Sequence, residues 1–317
     1  MPPATLSDSP VIIEAPVIIE VAVNGATPKS RNPHVPRSVD EIVIDAVACI
    51  DAGASIVHNH NDDPVLGTVP THDPQPYIDA WRAILAQRPG TILYPTMGGG
   101  GPHTTIEQRY SHIPALAEAG VLGQGLVDPG CVAFGGTDPD GLPADADIVY
   151  RNTYADARYM FATCHAMGHG ASISCFEPGF VRVALAYQRA GKLPPGSLVK
   201  LYFGAGGLAC ADDGAYPLSF GLPPTEASLD AYLALLSPDI ENWSVAALGG
   251  DVIESGLARL ALERGGHVRV GLEDHAGSRQ PSNVELVDEL VALCDEVGRP
   301  VATSVEARSI LGLPAAG

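Results

Sequence analysis

Val39-Asp40-Glu41-Ile42-Val43-Ile44-Asp45-Ala46-Val47-Ala48-Cys49-Ile50-Asp51-Ala52-Gly53-Ala54-Ser55-Ile56-Val57-His58-Asn59-His60 holds one complete helix-to-strand unit. Ile42, Val43, Ala46, Val47 and Ile50 fall at helical spacing across Val39–Ala52. Gly53 stands where a helix takes its C′ glycine. The apolar run Ser55–His60 then reads as a strand, and alternation puts His58 and His60 on one face of its end. Two imidazoles converging from one strand end suit a metal ion such as zinc. A polar loop with two incidental histidines is the competing reading of the pair alone.

The same unit recurs along the chain. Further strands are expected at Val17–Val23, Thr91–Thr96, Gly123–Val127, Ala171–Phe176, Leu198–Phe203, Trp243–Leu248 and His267–Leu272. Helical spacing marks Pro76–Arg88, Ile106–Ala119, Asp156–Met167, Val181–Ala190, Glu226–Leu236, Ser255–Arg264 and Asn283–Val297. Gly120, Gly168, Gly191, Gly265 and Gly298 follow helix ends as Gly53 does. Eight strand–helix units without a linker or composition break imply a single-domain (β/α)8 TIM barrel over residues 1–317, with a short N-terminal extension at about 1–10. An open doubly wound sheet is the alternative. No G-x-G-x-x-G follows the first strand, which argues against a dinucleotide-binding version of it.

A formal charge of −19 disfavours nucleic acid and anionic membranes as partners, since both are polyanions. An anionic small molecule stays allowed, because a local arginine or metal can invert the field within a cleft. The six cysteines form no C-x-x-C, so neither a zinc knuckle nor a redox pair is expected. The N-terminus lacks a basic n-region and no apolar run approaches ~18 residues. A soluble, cytoplasmic protein is expected.

Catalytic groups of a (β/α)8 barrel sit at the C-terminal ends of its strands and in the loops beyond. Asn24 follows the first strand, and His58 and His60 end the second. Thr96, Gly98, Gly99, Gly100 and Gly101 follow the third, where glycine amides can approach a ligand oxygen. Glu177 follows the fifth; it either faces the substrate or caps the next helix. After the eighth come Arg269, Glu273 and Asp274. An arginine inside a barrel needs an anionic partner or ligand. Glu273 can complete a three-ligand set with His58 and His60 and leave one position open, the catalytic pattern for zinc. A rim salt bridge to Arg269 is the alternative for Glu273.

These residues together resemble the β-keto acid cleavage enzymes, whose type member is 3-keto-5-aminohexanoate cleavage enzyme. The likeness runs from about Val17 to Leu313. It rests on N-G-A at 24–26, A-G-A-S-I-V-H-N-H at 52–60, the glycine run at 98–101, G-G-H-V-R-V-G-L-E-D at 265–274, S-N-V-E-L-V at 282–287 and G-R-P-V-A-T-S-V-E-A-R at 298–308. The resemblance implies a (β/α)8 barrel, commonly a homotetramer, with Zn2+ (or another divalent transition metal) on His58, His60 and Glu273. It implies acetyl-CoA as co-substrate of a β-keto acid, giving acetoacetate and a new acyl-CoA. Asp274 and Arg269 match the family's catalytic aspartate and arginine. Thr96 and the glycine run match the segment lining the substrate carboxylate site.

Departures fall at substrate-facing positions. Asn61-Asp62 follows the second histidine where the family has H-x-H-x-R-D, and Thr27 stands where the type member reads its substrate's amino group with a glutamate. Ala171-Ser172-Ile173-Ser174 replaces P-E-x-E, Cys131 and Ala133 replace a threonine and an asparagine, and Leu248-Gly249-Gly250-Asp251 replaces G-x-G-R. The expectation is a retained metal platform with altered specificity. A zinc hydrolase acting on a small carboxylate and a metal-binding barrel without turnover are the rivals.

Overall fold

Helix α1 (Val39–Ala52) is set by its ends. The Ser38 hydroxyl accepts the Glu41 amide, the Glu41 carboxylate accepts the Ser38 amide, and Gly53 closes the helix at φ 129°. Such a cap stabilises a helix by about 1 kcal/mol. The chain then enters strand β2 (Ile56–Asn59). The computed structural model describes residues 15–61, 73–99, 103–135, 138–143, 149–206, 220–236, 238 and 240–315. The expected extension at about 1–10 and Gly100 and Gly101 lie outside them.

Around this unit the other seven form. β1 (Ile19–Ala22) precedes it; α2 (Gln75–Gln87), β3 (Ile92–Pro95), α3 (Ile106–Arg109), α4 (His112–Glu118) and β4 (Gly125–Val127) follow. A small hairpin of β5 (Cys131–Ala133) and β6 (Val149–Arg151) comes next. Then come α5 (Tyr154–Met167), β7 (Ala171–Cys175), α6 (Pro178–Arg189), β8 (Leu198–Gly204), α7 (Glu226–Leu235), β9 (Trp243–Leu248), α8 (Leu257–Glu263), β10 (His267–Val270), α9 (Asn283–Val297) and α10 (Ser304–Leu311). The main sheet is parallel in the order β3-β2-β1-β10-β9-β8-β7-β4. Its two edges meet where the Gly123 amide donates to the Leu93 carbonyl at 2.8 Å. A Cβ on Gly123 would lie 2.5 Å from the Leu93 nitrogen, so glycine is what lets the barrel close there. The architecture is the expected (β/α)8 barrel.

Two expectations need correction. The helix expected over Ile106–Ala119 is two helices, α3 and α4, because Pro114 cannot accommodate the Tyr110 carbonyl four residues back. The β5–β6 hairpin was not expected: strands of three residues carry too little alternation to register in sequence.

Alternation sorts each strand into two environments. Val21, Val57, Val199, Leu201 and Val245 face outward and are buried beneath the helices. The inward set is polar. Glu20 lies opposite Arg269 in the register, Ala22 opposite His58, His58 opposite Tyr94, and Lys200 opposite both Ser174 and Ser244. Barrel interiors are more often filled by branched apolar side chains. Here ionic groups occupy the interior and lead up to the mouth.

Candidate active site

Glu20, Lys200 and Arg269 are each 0–1 % exposed. One oxygen of Glu20 accepts from Lys200 Nζ at 2.6 Å, from Arg269 Nη1 at 2.9 Å and from the Tyr94 hydroxyl. Lys200 also donates to Ser172 Oγ at 3.0 Å. Burial works to raise the Glu20 carboxyl, but Lys200 and Arg269 override it and hold it down at about 2. Burial lowers the Lys200 ammonium, with Glu20 opposing. Neither Glu20 nor Lys200 was singled out from sequence. The available signal was a lone charge within an apolar strand, Ile18-Ile19-Glu20-Val21 and Leu198-Val199-Lys200-Leu201.

Arg269 connects this network to the mouth. Its Nε and Nη2 hold the two Asp274 oxygens at 2.6 and 2.9 Å, and Nη2 lies 3.1 Å from Glu273 Oε2. The arginine therefore has the anionic partners its burial requires, and its N–H groups are directed at protein acceptors. Burial raises the Asp274 carboxyl, Arg269 opposes, and the neighbouring Glu273 charge adds to the rise.

Above Arg269, three side chains converge. His58 Nε2 is 3.1 Å from Glu273 Oε2, and His60 Nε2 is 3.3 Å from Glu273 Oε1. β2 supplies the histidines and the turn after β10 supplies the glutamate; both strands flank β1. His58 Nδ1 donates to the Tyr94 carbonyl at 3.2 Å, which leaves the Nε2 lone pair aimed at Glu273. Burial pushes the His58 imidazolium down to about 4, despite Glu273, so the ring is neutral near pH 7. Burial works to raise the Glu273 carboxyl, but the Arg269 guanidinium overrides it and holds it well below the carboxylate range. Both ring nitrogens of His60 are buried without a hydrogen-bond partner, and Oε2 of Glu273 has only its ion-pair contact with Arg269. Lone pairs facing lone pairs cost free energy unless a cation lies between them.

The donor set fits such a cation. The ligand atoms of His58, His60 and Glu273 all lie within 4.8 Å of one another. Zinc bonds of about 2.0–2.2 Å in a tetrahedron hold neighbouring ligand atoms roughly 3.3–3.6 Å apart, and the imidazole-to-carboxylate separations here, 3.1 and 3.3 Å, lie at or just under the short end of that range.

The remaining expected site residues divide. Asn24 is fully buried and clamps the second histidine: its Oδ1 accepts the His60 amide at 2.8 Å and its Nδ2 donates to the His60 carbonyl at 2.9 Å. Thr96 lies at the end of β3, and its carbonyl accepts from His112 Nε2 at 2.8 Å. Gly98 is buried against the Arg109 backbone, where a Cβ would meet the carbonyl oxygen at 2.0 Å; Gly99 is half-buried beside it. Glu177 occupies the N-cap position of α6, but its side chain does not cap the helix; Oε1 accepts the Gly221 amide at 2.9 Å. Thr27 donates to the Leu272 carbonyl at 2.8 Å and pins the turn that carries Glu273.

The beta-keto acid cleavage enzyme family matches residues 16–313. The chain belongs to that family. Among family relatives, it is 32% identical over 309 residues to 3-oxoadipate:acetyl-CoA acetyltransferase of Cupriavidus necator, covering 94% of this chain and 95% of that protein. It is also 32% identical over 306 residues to 3-keto-5-aminohexanoate cleavage enzyme of Fusobacterium nucleatum, covering 94% of this chain and 98% of that protein. The apo structure of ObcA superposes with a TM-score of 0.63 at 18% identity, over 89% of this chain and 66% of that one, a likeness of fold alone.

Proposed function

We propose that this family member is a zinc-dependent enzyme that condenses a β-keto acid with acetyl-CoA and cleaves the adduct to acetoacetate and a new acyl-CoA. The observation that carries the reading is the convergence of His58, His60 and Glu273 directly above an Arg269–Asp274 pair. The acetyl-CoA-dependent names of the family relatives support it. His58, His60 and Glu273 would hold the zinc, which supplies Lewis-acid polarisation of the β-keto oxygen.

Asp274 is the general base. It takes the hydroxyl proton of the adduct as the carbon–carbon bond breaks, and its raised affinity for a proton suits that task. Arg269 is a positioning residue: two parallel N–H···O bonds fix the Asp274 carboxylate, and a third contact restrains Glu273. Asn24 fixes the backbone of His60, and Tyr94 fixes the tautomer of His58. Thr96 and the glycines after it are assigned to the substrate carboxylate. The homotetramer and cytoplasmic location belong to the same proposal; light scattering on the purified protein tests the first.

The zinc-loaded protein, given acetyl-CoA and a panel of β-keto acids, should release acetoacetate and an acyl-CoA. Metal-dependent hydrolysis of amides or lactones without CoA would overturn the reading in favour of a hydrolase. Stoichiometric zinc without consumption of any panel member would favour a binding protein.

A further inference from the structure

His58, His60, Glu273 and Asp274 line one side of the mouth, at the ends of β2 and β10. Over β4, β7 and β8 the lining changes. Phe176 follows β7 and continues the inward alternation of Ser172 and Ser174. Its ring lies 4.6 Å from that of Tyr202, which also has the Arg269 guanidinium at 5.5 Å and Lys200 Nζ at 5.9 Å. Phe176 also meets Phe134 at 5.8 Å, Phe220 at 5.2 Å and Tyr150 at 6.0 Å. The β5–β6 hairpin carries Tyr150 and delivers Phe134 over the mouth, and the Tyr150 phenol anchors it by donating to Asp128 at the end of β4. Phe134, Tyr150 and Phe176 keep part of their surface uncovered. An aromatic wall thus begins at Tyr202, in contact with the charged network, and rises away from the metal ligands.

We infer that this wall receives the substituent of the β-keto acid, and that the preferred substituent is an uncharged alkyl or aryl group. The inference rests on the β-keto acid reading above. Two relatives act, by their names, on substrates with charged ends, an adipate and an aminohexanoate. Among the described residues, the rings of the wall offer neither charge a partner. A cation held by aromatic faces sits within about 6 Å of each ring centroid and needs the rings spread around it. Here Phe134, Phe176 and Phe220 pack edge to face on one another at 5.2–5.8 Å, so the three form a solid apolar surface and enclose no cage. An anion needs a free cation; among the described residues Arg109 is engaged by Asn152 at 2.8 Å and Asp156 at 3.7 Å, and Arg151 of the hairpin alternates onto the exposed face opposite to Tyr150. Of the nearby carboxylates among the described residues, Glu177 accepts the Gly221 amide, and Asp128 is buried and accepts the Tyr150 phenol through Oδ2, its Oδ1 having no hydrogen-bond partner.

The test is a substrate series on the zinc-loaded protein with acetyl-CoA: 3-oxopentanoate, 3-oxohexanoate and 3-oxooctanoate against 3-oxoadipate and 3-keto-5-aminohexanoate. Burying each added methylene is worth about fourfold, so kcat/KM should climb by about that factor per methylene and fall at least tenfold for the charged pair. Preference for 3-oxoadipate overturns the inference. So does preference for the aminohexanoate, and its loss in Asp128→Asn would identify the group that reads the ammonium. Phe134→Ala should raise the KM of the keto acid and leave that of acetyl-CoA in place; the reverse would assign the wall to the pantetheine arm instead. Should no keto acid turn over, the proposed reaction falls, and the wall is decided separately by calorimetry. Butyrate, hexanoate and octanoate binding ever more tightly supports an apolar wall, whereas tighter binding of adipate refutes it.

Discussion

Gly25 offers a way to disturb the proposed metal centre without replacing a ligand. It sits at φ +50°, and a Cβ built there would lie 2.2 Å from Cγ, 2.8 Å from Cβ and 3.0 Å from Cδ of Glu273. Carbon atoms pack at about 3.5 Å, so Gly25→Ala requires roughly 1.3 Å of movement. The backbone of Gly25 is fixed between β1 and the turn that Thr27 pins, so the glutamate must yield. Metal–ligand distances tolerate only about 0.2 Å, so the Glu273 carboxylate leaves the coordination shell. Disturbing a group that merely orients a ligand costs about 10–100-fold in metal affinity; displacing the ligand itself should cost at least the upper figure. The left-handed conformation of alanine adds a stability loss of about 1–2 kcal/mol. The assay is zinc affinity by chelator competition, with thermal unfolding of the same samples to show that the fold survives. A Gly25→Ala protein that binds one zinc with unchanged affinity would refute the placement of Glu273 in the metal shell.

Lys200→Met should destabilise the fold by about 3–5 kcal/mol in denaturant unfolding, because it removes one partner of a buried ion pair. Adding Glu20→Gln should recover part of the loss; purely additive losses would show that the two do not interact. Asp274→Asn should lower turnover by at least 10²-fold while zinc stoichiometry stays at one, and near-normal rates would end its assignment as the base. Asp45 gives a pH prediction remote from the mouth. Burial raises its carboxyl from 3.8 to about 7, with the Asn283 amide at 2.7 Å opposing. The folded value exceeds the unfolded one, so this group's contribution is full below about pH 4 and is lost as pH rises toward about 7. Asp45→Asn should flatten the fall in unfolding free energy across that window; equal slopes in the two proteins would exclude the effect.

The barrel was legible because its signal repeats. Every strand expected from alternation is present, and α1 and α9 begin and end at the expected residues. The break at Pro114 was equally readable, since a proline there forbids one continuous helix. The convergence of His58, His60 and Glu273 was legible because the three stand at strand ends, where this fold gathers side chains. Its support was harder to read. Asn24 was recognisable as a rim residue, yet its hold on His60 follows from the parallel register that sets Ala22 against His58. That register is a tertiary fact. Arg269 announced its need for an anion, but Glu20 lies a whole chain away and became its neighbour only when β1 paired with β10. The aromatic wall had no signature at all: Phe134, Phe176 and Phe220 sit in three different loops and share no spacing.

The ionic interior has a consequence for how the molecule meets its ligands. Counting Glu20, Glu273 and Asp274 as carboxylates and Lys200 and Arg269 as cations gives three negative charges against two positive ones, and the whole chain carries −19. Both proposed substrates are anions, so the metal-free mouth repels them. A divalent ion between neutral histidines reverses the sign of the local charge and turns the mouth into an attractive well. Metal loading would then decide which molecules enter as well as how they react, and capture of any carboxylate would depend on it.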